Sequence, residues 1–219
     1  MEHCRGLMET MSVSPPLFPS VERMVEDAAE MGIEFNSESA GKIIEFSRIL
    51  LYRSRTANLI GPGERRRLWS RHILESACYS LLLQSDRMVV DIGTGNGFPG
   101  IILAILGFRV SMVEPRRKRY LFLRYTAGQL GLDDCTAVKS RIEDFEPAND
   151  VSFQKPSQFT VRSVAPPEIL LDSIRRISGP GSTLVARKPG ISEQDEFAGI
   201  VELRCPPLDR SGFLVQYRV

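Results

Sequence analysis

The sequence has no long apolar run. No stretch of its 219 residues approaches the roughly 18 consecutive apolar residues that a bilayer-crossing helix needs, so a helical membrane protein is excluded and a soluble one expected. Cysteine is scarce: Cys4, Cys78, Cys135 and Cys205 lie far apart with no C-x-x-C pair. With only His3 and His72 to join them, neither a zinc site nor a disulfide framework is expected, and reduced thiols fit a cytoplasmic protein. Charge of one sign is not in excess either, since 28 Lys and Arg stand against 27 Asp and Glu. A nucleic-acid partner then has to be argued from where the charges cluster. The first 20 residues lack the basic start and apolar run of a secretory signal, and Pro15, Pro16 and Pro19 mark them as a flexible extension.

Apolar content of 42% and charged content of 25% are ordinary for a globular domain. Val21, Met24, Val25 and Ala28 recur at helical spacing, with Ser20 placed to cap and Gly32 to stop the helix. A second helix is expected from Ser37 to near Gly61-Pro62-Gly63, and a third from Glu64 to about Leu83 that opens on Arg65, Arg66 and Arg67. From Met88 the pattern changes to short apolar runs alternating with helical segments, as in a parallel sheet with crossover helices. Strands are expected at Met88–Ile92, Arg109–Glu114, Thr136–Val138, Phe159–Val161, Thr183–Arg187, Val201–Leu203 and Phe213–Arg218. Helices fit at Gly100–Leu106, Pro115–Leu130, Pro167–Ser178 and Glu193–Ala198, and Glu146–Gln158 reads as a loop. The expected architecture is α/β, a doubly wound, mostly parallel seven-stranded sheet. Residues 21–84 form a helical segment packed on a core of residues 85–219.

Directly after the first strand comes Asp91-Ile92-Gly93-Thr94-Gly95-Asn96-Gly97-Phe98-Pro99-Gly100. Glycines at alternate positions let the backbone turn tightly and approach a ligand closely. Glu114 ends the second strand, where a carboxylate accepts hydrogen bonds from both hydroxyls of a ribose. Together these point to a nucleoside cofactor. Gly95-x-Gly97-x-x-Gly100 also fits a dinucleotide fingerprint, but Asp91 stands where a pyrophosphate binder would place its anion. A carboxylate there suits the cationic sulfonium and ammonium of S-adenosylmethionine, which makes a Rossmann-like class I methyltransferase the favoured reading over an NAD-binding oxidoreductase.

Arg71-His72-Ile73-Leu74-Glu75-Ser76, the Gly-Phe-Pro-Gly ending at Gly97–Gly100, Ser140-Arg141-Ile142-Glu143 and Arg162-Ser163-Val164-Ala165 resemble the successive motifs of the RsmG (GidB) family. That family methylates guanine N7 in bacterial 16S ribosomal RNA. The resemblance runs from about Val21 to the C-terminus, and it implies that Gly93, Phe98, Ile142, Glu143 and Arg162 contact S-adenosylmethionine, beside Asp91, Gly95, Gly97 and Glu114 from the loop and strand end. The sequence departs from the family pattern in two places. Pro156 and Ser157 stand where many members carry an aromatic–Asp pair, and a Lys-Gly pair is broken into Lys188-Pro189-Gly190.

Guanine N7 carries a free lone pair and no proton, so its methylation requires alignment rather than a general base, and no catalytic side chain is assigned. Ribosomal RNA or the small subunit is the expected partner of a monomer that holds no metal. Methylation of another RNA position or of a small molecule is the alternative. Arg65–Arg67 with Arg71, and Arg116, Arg117, Lys118, Arg119 and Arg124 on another helix, are candidates to follow phosphates, against the plainer reading of solvated helix faces. Arg71, His72 and Lys188 are the substrate-side candidates. His72 is equally readable as a packed, hydrogen-bonded histidine, Lys188 as an exposed lysine, and Trp69 as core.

Overall fold

The computed structural model describes residues 18–57, 59–146, 157–193 and 195–219. Seven strands form one sheet: β1 (Val89–Ile92), β2 (Val110–Val113), β3 (Cys135–Val138), β4 (Gln158–Val161), β5 (Thr183–Lys188), β6 (Gly199–Leu203) and β7 (Gly212–Arg218). Their order is β3-β2-β1-β4-β5-β7-β6. The first five run parallel, and β7 lies antiparallel to both β5 and β6. β1 and β4 are buried along their whole length, as expected of strands covered on both faces. The chain leaves β1 for β2 and β3 on one side and returns to β4 on the other. The sheet therefore opens a crevice beyond the carboxyl end of β1, the switch point where α/β proteins bind ligands.

The segment before the sheet opens with α1 (Val21–Glu30) and α2 (Ser37–Ala57). Ser20 Oγ accepts the Arg23 amide at 3.3 Å and Asn36 Oδ1 the Ser39 amide at 2.8 Å, satisfying donors that the first turn leaves free. Gly32 ends α1 with a φ of +75°. Met24, Ile43, Phe46 and Leu50 from these helices pack in one core with Ile101, Leu103, Val110 and Leu214 of the sheet side, so residues 21–84 are continuous with the rest of the fold. A second core on the opposite face holds Phe145, Phe159, Leu170 and Ile174.

Three expected helices differ. The one expected over Glu64–Leu83 is broken into a 3-10 segment (Pro62–Arg67), a π segment (Leu68–Ile73), one α turn, α3 (Leu74–Ala77), and a second 3-10 segment (Cys78–Leu82). After α4 (Gly100–Ile105) and β2, the helix expected from Pro115 begins later, as α5 (Arg117–Gln129). Glu114 Oε1 accepts the Arg116 amide at 2.9 Å, and Arg116 is extended at φ −80°, ψ 115°. After α6 (Pro167–Ile177) and β5, Glu193–Ala198 forms no helix in its described residues. There Asp195 Oδ2 accepts the Ser192 amide at 2.9 Å and faces Lys188 Nζ at 3.5 Å, fastening a turn. Most of the loop expected at Glu146–Gln158 and of the extension over residues 1–20 lies outside the described residues.

Candidate active site

A cleft of about 350 Å³ opens at the carboxyl ends of the parallel strands. Each strand delivers part of the wall: Gly93 after β1, Glu114 after β2, Ser140 to Glu143 after β3, and Ser163 to Ala165 after β4. Gly93 has φ +63°, and a Cβ there would lie 2.5 Å from Val164 Cγ2, so a side chain at this position would strain the turn and displace the wall. Its amide donates to the Val113 carbonyl at 2.8 Å, which fixes the loop against β2. Glu114 is buried at the mouth of the loop, its Oε2 accepting the Gly95 amide at 3.0 Å. Each carboxylate oxygen keeps a lone pair for a further donor. Ile142, Glu143 and Arg141 close the far side. Arg176 Nη2 donates to the Glu143 carbonyl, holding that short 3-10 turn (Ile142–Asp144) against α6.

The remaining sequence candidates are not brought to this cleft. Gly95 (φ +63°) and Gly97 (φ +93°) shape the turn, and a Cβ on Gly97 would meet Ile101 Cγ1 at 2.5 Å, so that glycine makes room for α4. Asp91 is fully buried beneath the loop. Its Oδ2 accepts the Gly100 amide at 2.8 Å and its Oδ1 the Thr160 hydroxyl at 2.9 Å. Burial pushes its carboxyl up to about 6, against the downward pull of those bonds and of Arg162. The electrostatic argument that set Asp91 facing a cationic ligand does not describe this position: its carboxylate joins β1 to α4 and β4.

Phe98 and Arg162 also point away, toward the helical segment. Phe98 packs edge-on to Phe46 at 5.4 Å between ring centres, lies 5.4 Å from the His72 ring, and has the Arg162 guanidinium over its face at 5.6 Å. Arg162 Nη2 lies 2.7 Å from His72 Nδ1, and its Nη1 donates to the His72 carbonyl and Ser76 Oγ, both at 3.2 Å. The other ring nitrogen of His72 meets Glu64 Oε2 at 2.9 Å. Burial, and then the Arg162 charge, lower the histidine's pKa. His72 is therefore a packed, doubly engaged ring. Arg71 is held between Glu64 at 3.5 Å and Asp209 at 3.8 Å, while Lys188 pairs with Asp195 and lies 5.2 Å over the Phe197 ring. Trp69 is core, its Nε1 donating to Asp27 Oδ2 at 2.7 Å.

Sequence reasoning missed the charge centre below these groups. Glu75, fully buried, receives Arg187 Nε at 3.0 Å and Arg210 Nε and Nη2 at 3.0 Å each, with Arg162 Nε at 3.7 Å. Burial alone would push its carboxyl up, but the Arg210 hydrogen bond and the charges of Arg162, Arg210 and Arg187 outweigh it and leave Glu75 below the usual carboxylate range. Glu75 belongs to the Arg71–Ser76 motif, which was the available signal. Its partners lie 112 and 135 residues further on.

A family model described as rRNA small subunit methyltransferase G (GidB) matches residues 39–200. The chain belongs to this family. Relatives named Ribosomal RNA small subunit methyltransferase G include one from Kineococcus radiotolerans, 34% identical over 192 residues that cover 86% of this chain and 72% of the relative. Another, from Nocardioides sp., is 31% identical over 196 residues, 88% and 73% of the two chains. A third, from Acidothermus cellulolyticus, is 38% identical over 132 residues, 59% of this chain and 56% of its own length. This family member therefore spans little more than half of that last relative. Among solved structures, MtNAS in complex with MTA and tNA shares the fold, with a TM-score of 0.52 at 17% identity over 90% of this chain and 86% of the other. As a member of this methyltransferase family the chain is an S-adenosylmethionine-dependent enzyme.

Proposed function

We propose that this chain transfers a methyl group from S-adenosylmethionine to guanine N7 of small-subunit ribosomal RNA, acting as a monomer in the cytoplasm. The observation that carries the cofactor half is the pairing of Gly93, whose missing Cβ lets the loop close against Val164 and sets its backbone in the cleft wall, with the Glu114 carboxylate in the same cleft. Around an adenosyl ligand, Glu114 would take the ribose hydroxyls, Ile142 would pack the adenine ring and Glu143 would meet its polar edge. Gly93 would pass beside the methionyl tail. Gly95 and Gly97 shape this loop, and Asp91, Phe98 and Arg162 act as positioning residues that hold it and the helical segment in register. Arg71, His72 and Lys188 are assigned to the substrate side, where they order the surface over which RNA approaches. Residues 85–219 are proposed as the cofactor-binding core, residues 21–84 as the helical segment that the substrate crosses, and residues 1–20 as a flexible extension.

When bound, the cofactor supplies a methyl group on a positively charged sulfur. The protein's part is to hold the guanine so that N7 meets that methyl in line, an alignment worth up to roughly 7–11 kcal/mol in the best cases. N7 has no proton to remove, so neither His72 nor any carboxylate here needs to act as a base. The base must be splayed from its stack to enter the cleft, as expected of a loop or single-stranded element. Borohydride reduction followed by aniline tests the assignment, because N7-methylguanosine is cationic and its ring opens under reduction. RNA treated with enzyme and S-adenosylmethionine should be cleaved at one guanosine. Methyl incorporation without an aniline-sensitive guanosine would overturn N7, and incorporation only into protein or small molecules would overturn RNA.

A further inference from the structure

We propose that a second pocket, formed by Arg162, Arg187 and Arg210 beside the cofactor cleft, binds a backbone phosphate of the RNA substrate. The proposal rests on the RNA reading above and adds a subsite to it. The pocket, about 250 Å³, lies at the carboxyl ends of β4 and β5, and it shares Ser163 and Ala165 with the cofactor cleft. One short stretch of chain therefore separates the two. Ser163 holds that wall in a left-handed turn at φ +55°, a conformation rare for any residue but glycine and asparagine.

The guanidinium groups of Arg162, Arg187 and Arg210 share the single carboxylate of Glu75, and Asp209, the other acid acting on Arg210, also pairs with Arg67 and Arg71, so positive charge is in excess beside this pocket. Arg162 and Arg187 are largely withdrawn from water, with 10% and 12% of their side chains exposed, while Arg210 keeps 35% at the mouth, so the excess charge favours an anion entering beside Arg210. Donors are also left over. Arg210 spends Nε and Nη2 on Glu75, and Arg187 spends Nε on Glu75 and Nη2 on the Ser211 carbonyl at 2.8 Å. Neither Nη1 has a hydrogen-bond acceptor among the described residues. The first turn of α6 adds its positive end, since Pro166 and Pro167 line the same pocket. Planar donors on two arginines suit the tetrahedral oxygens of a phosphate, which they can grip at two points. Glu75 sets this fork rigidly, so the pocket is preorganised before RNA arrives. A phosphate here would lie just across the Ser163–Ala165 wall from the cofactor, within reach of a nucleotide whose base has entered the cleft.

The test compares Arg210→Gln, Arg187→Gln and the charge-conserving Arg210→Lys with the parent enzyme. S-adenosylhomocysteine affinity is measured by calorimetry, and the KM for small-subunit RNA is measured across a series of salt concentrations. Each glutamine variant should raise the RNA KM by about tenfold and reduce the slope of log KM against log salt by about one, the signature of one lost phosphate contact. Cofactor affinity should hold in both, which also reports that the fold is intact, and Arg210→Lys should keep the parent's slope. Should Arg187→Gln fail to fold, the more exposed Arg210 decides, together with parent enzyme acting on RNA carrying single neutral methylphosphonates around the target guanosine. One substitution should raise KM for the parent and have no further effect on Arg210→Gln. An unchanged salt slope overturns the proposal, as does an equal loss of S-adenosylhomocysteine affinity, which would give the pocket to the cofactor. A parent enzyme that methylates no RNA would remove the RNA reading and this subsite together, a result distinct from an active parent with indifferent variants.

Discussion

Gly93 and Gly97 stand four residues apart in one turn, and their missing side chains serve different ends. A methyl group on Gly93 would strike Val164 in the cleft wall, whereas on Gly97 it would strike Ile101 in α4, each at 2.5 Å. Gly93→Ala should therefore cost roughly 1–3 kcal/mol of stability from left-handed strain and wall displacement, and weaken S-adenosylhomocysteine binding by at least about tenfold. Calorimetry and a denaturant titration read the two effects separately. The neighbouring Asp91 gives a pH signature. Its carboxyl stands at about 6 in the fold against an ordinary 3.8. A group raised in this way prefers its protonated form when folded, so its stabilising contribution is complete below about 3.8 and is lost as pH rises through about 6. Asp91→Asn keeps an acceptor for the Gly100 amide and has no proton to lose. Relative to the parent, it should gain on the order of 2–3 kcal/mol between pH 4 and pH 7, read from denaturant midpoints at both. A constant difference would show that Asp91 titrates alike in the folded and unfolded chain.

The elements differ in how plainly their sequences declared them. All seven strands were legible as short runs rich in β-branched and aromatic residues; β1, β2 and β4 are buried along their length, whereas β3, β6 and β7 are only partly so. The helix over Glu64–Leu83 was read too simply. Its apolar spacing is helical, but Trp69 must reach Asp27 on α1 while Ser76 Oγ bonds back to the His72 carbonyl, and the backbone passes through a π segment between them. Such long-range obligations leave no local trace. The Glu193–Ala198 stretch likewise has helical composition, yet Asp195 is engaged by Ser192 and Lys188 instead. Of the residues that line the cleft, Gly93, Glu114 and Glu143 were legible from their strand ends, and Ile142 only through the family resemblance. Phe98, Arg162 and Asp91 were legible as important but not as to which side of the loop they serve, since strand order does not give side-chain direction. Trp69→Phe tests the π segment. It leaves the buried Asp27 carboxylate without its indole donor, with Arg23 at 2.6 Å as its remaining partner, and should cost about 1–3 kcal/mol in thermal or chemical unfolding. A loss below about 0.5 kcal/mol would mean that the segment is held by packing alone.

At the scale of the molecule, the cofactor cleft, the arginine pocket and the helical segment all meet at one end of the sheet. His72 has a lowered pKa and is fastened on both sides, and Asp91 is sealed beneath the loop, so neither is placed to exchange a proton with a base in the cleft. The single-turnover methylation rate should accordingly stay within about twofold from pH 6.5 to 8.5. A bell-shaped or sloping profile with an apparent pKa in that window would reveal a titrating catalytic group and argue against N7 as the acceptor.

The placement of β7 between β5 and β6 carries a consequence for the order of events in folding. β6 is made before β7, yet among the described residues it pairs only with β7. Once translated, it has to remain unpaired until the later strand has docked on β5. The same docking draws in the Arg210 loop, which runs directly into β7, so assembly of the sheet edge and completion of the charge cluster around Glu75 become one step. A released chain in which β7 has not yet docked would display both an open β5 edge and a buried acid missing one of its arginines, two reasons for that intermediate to be short-lived or chaperone-held.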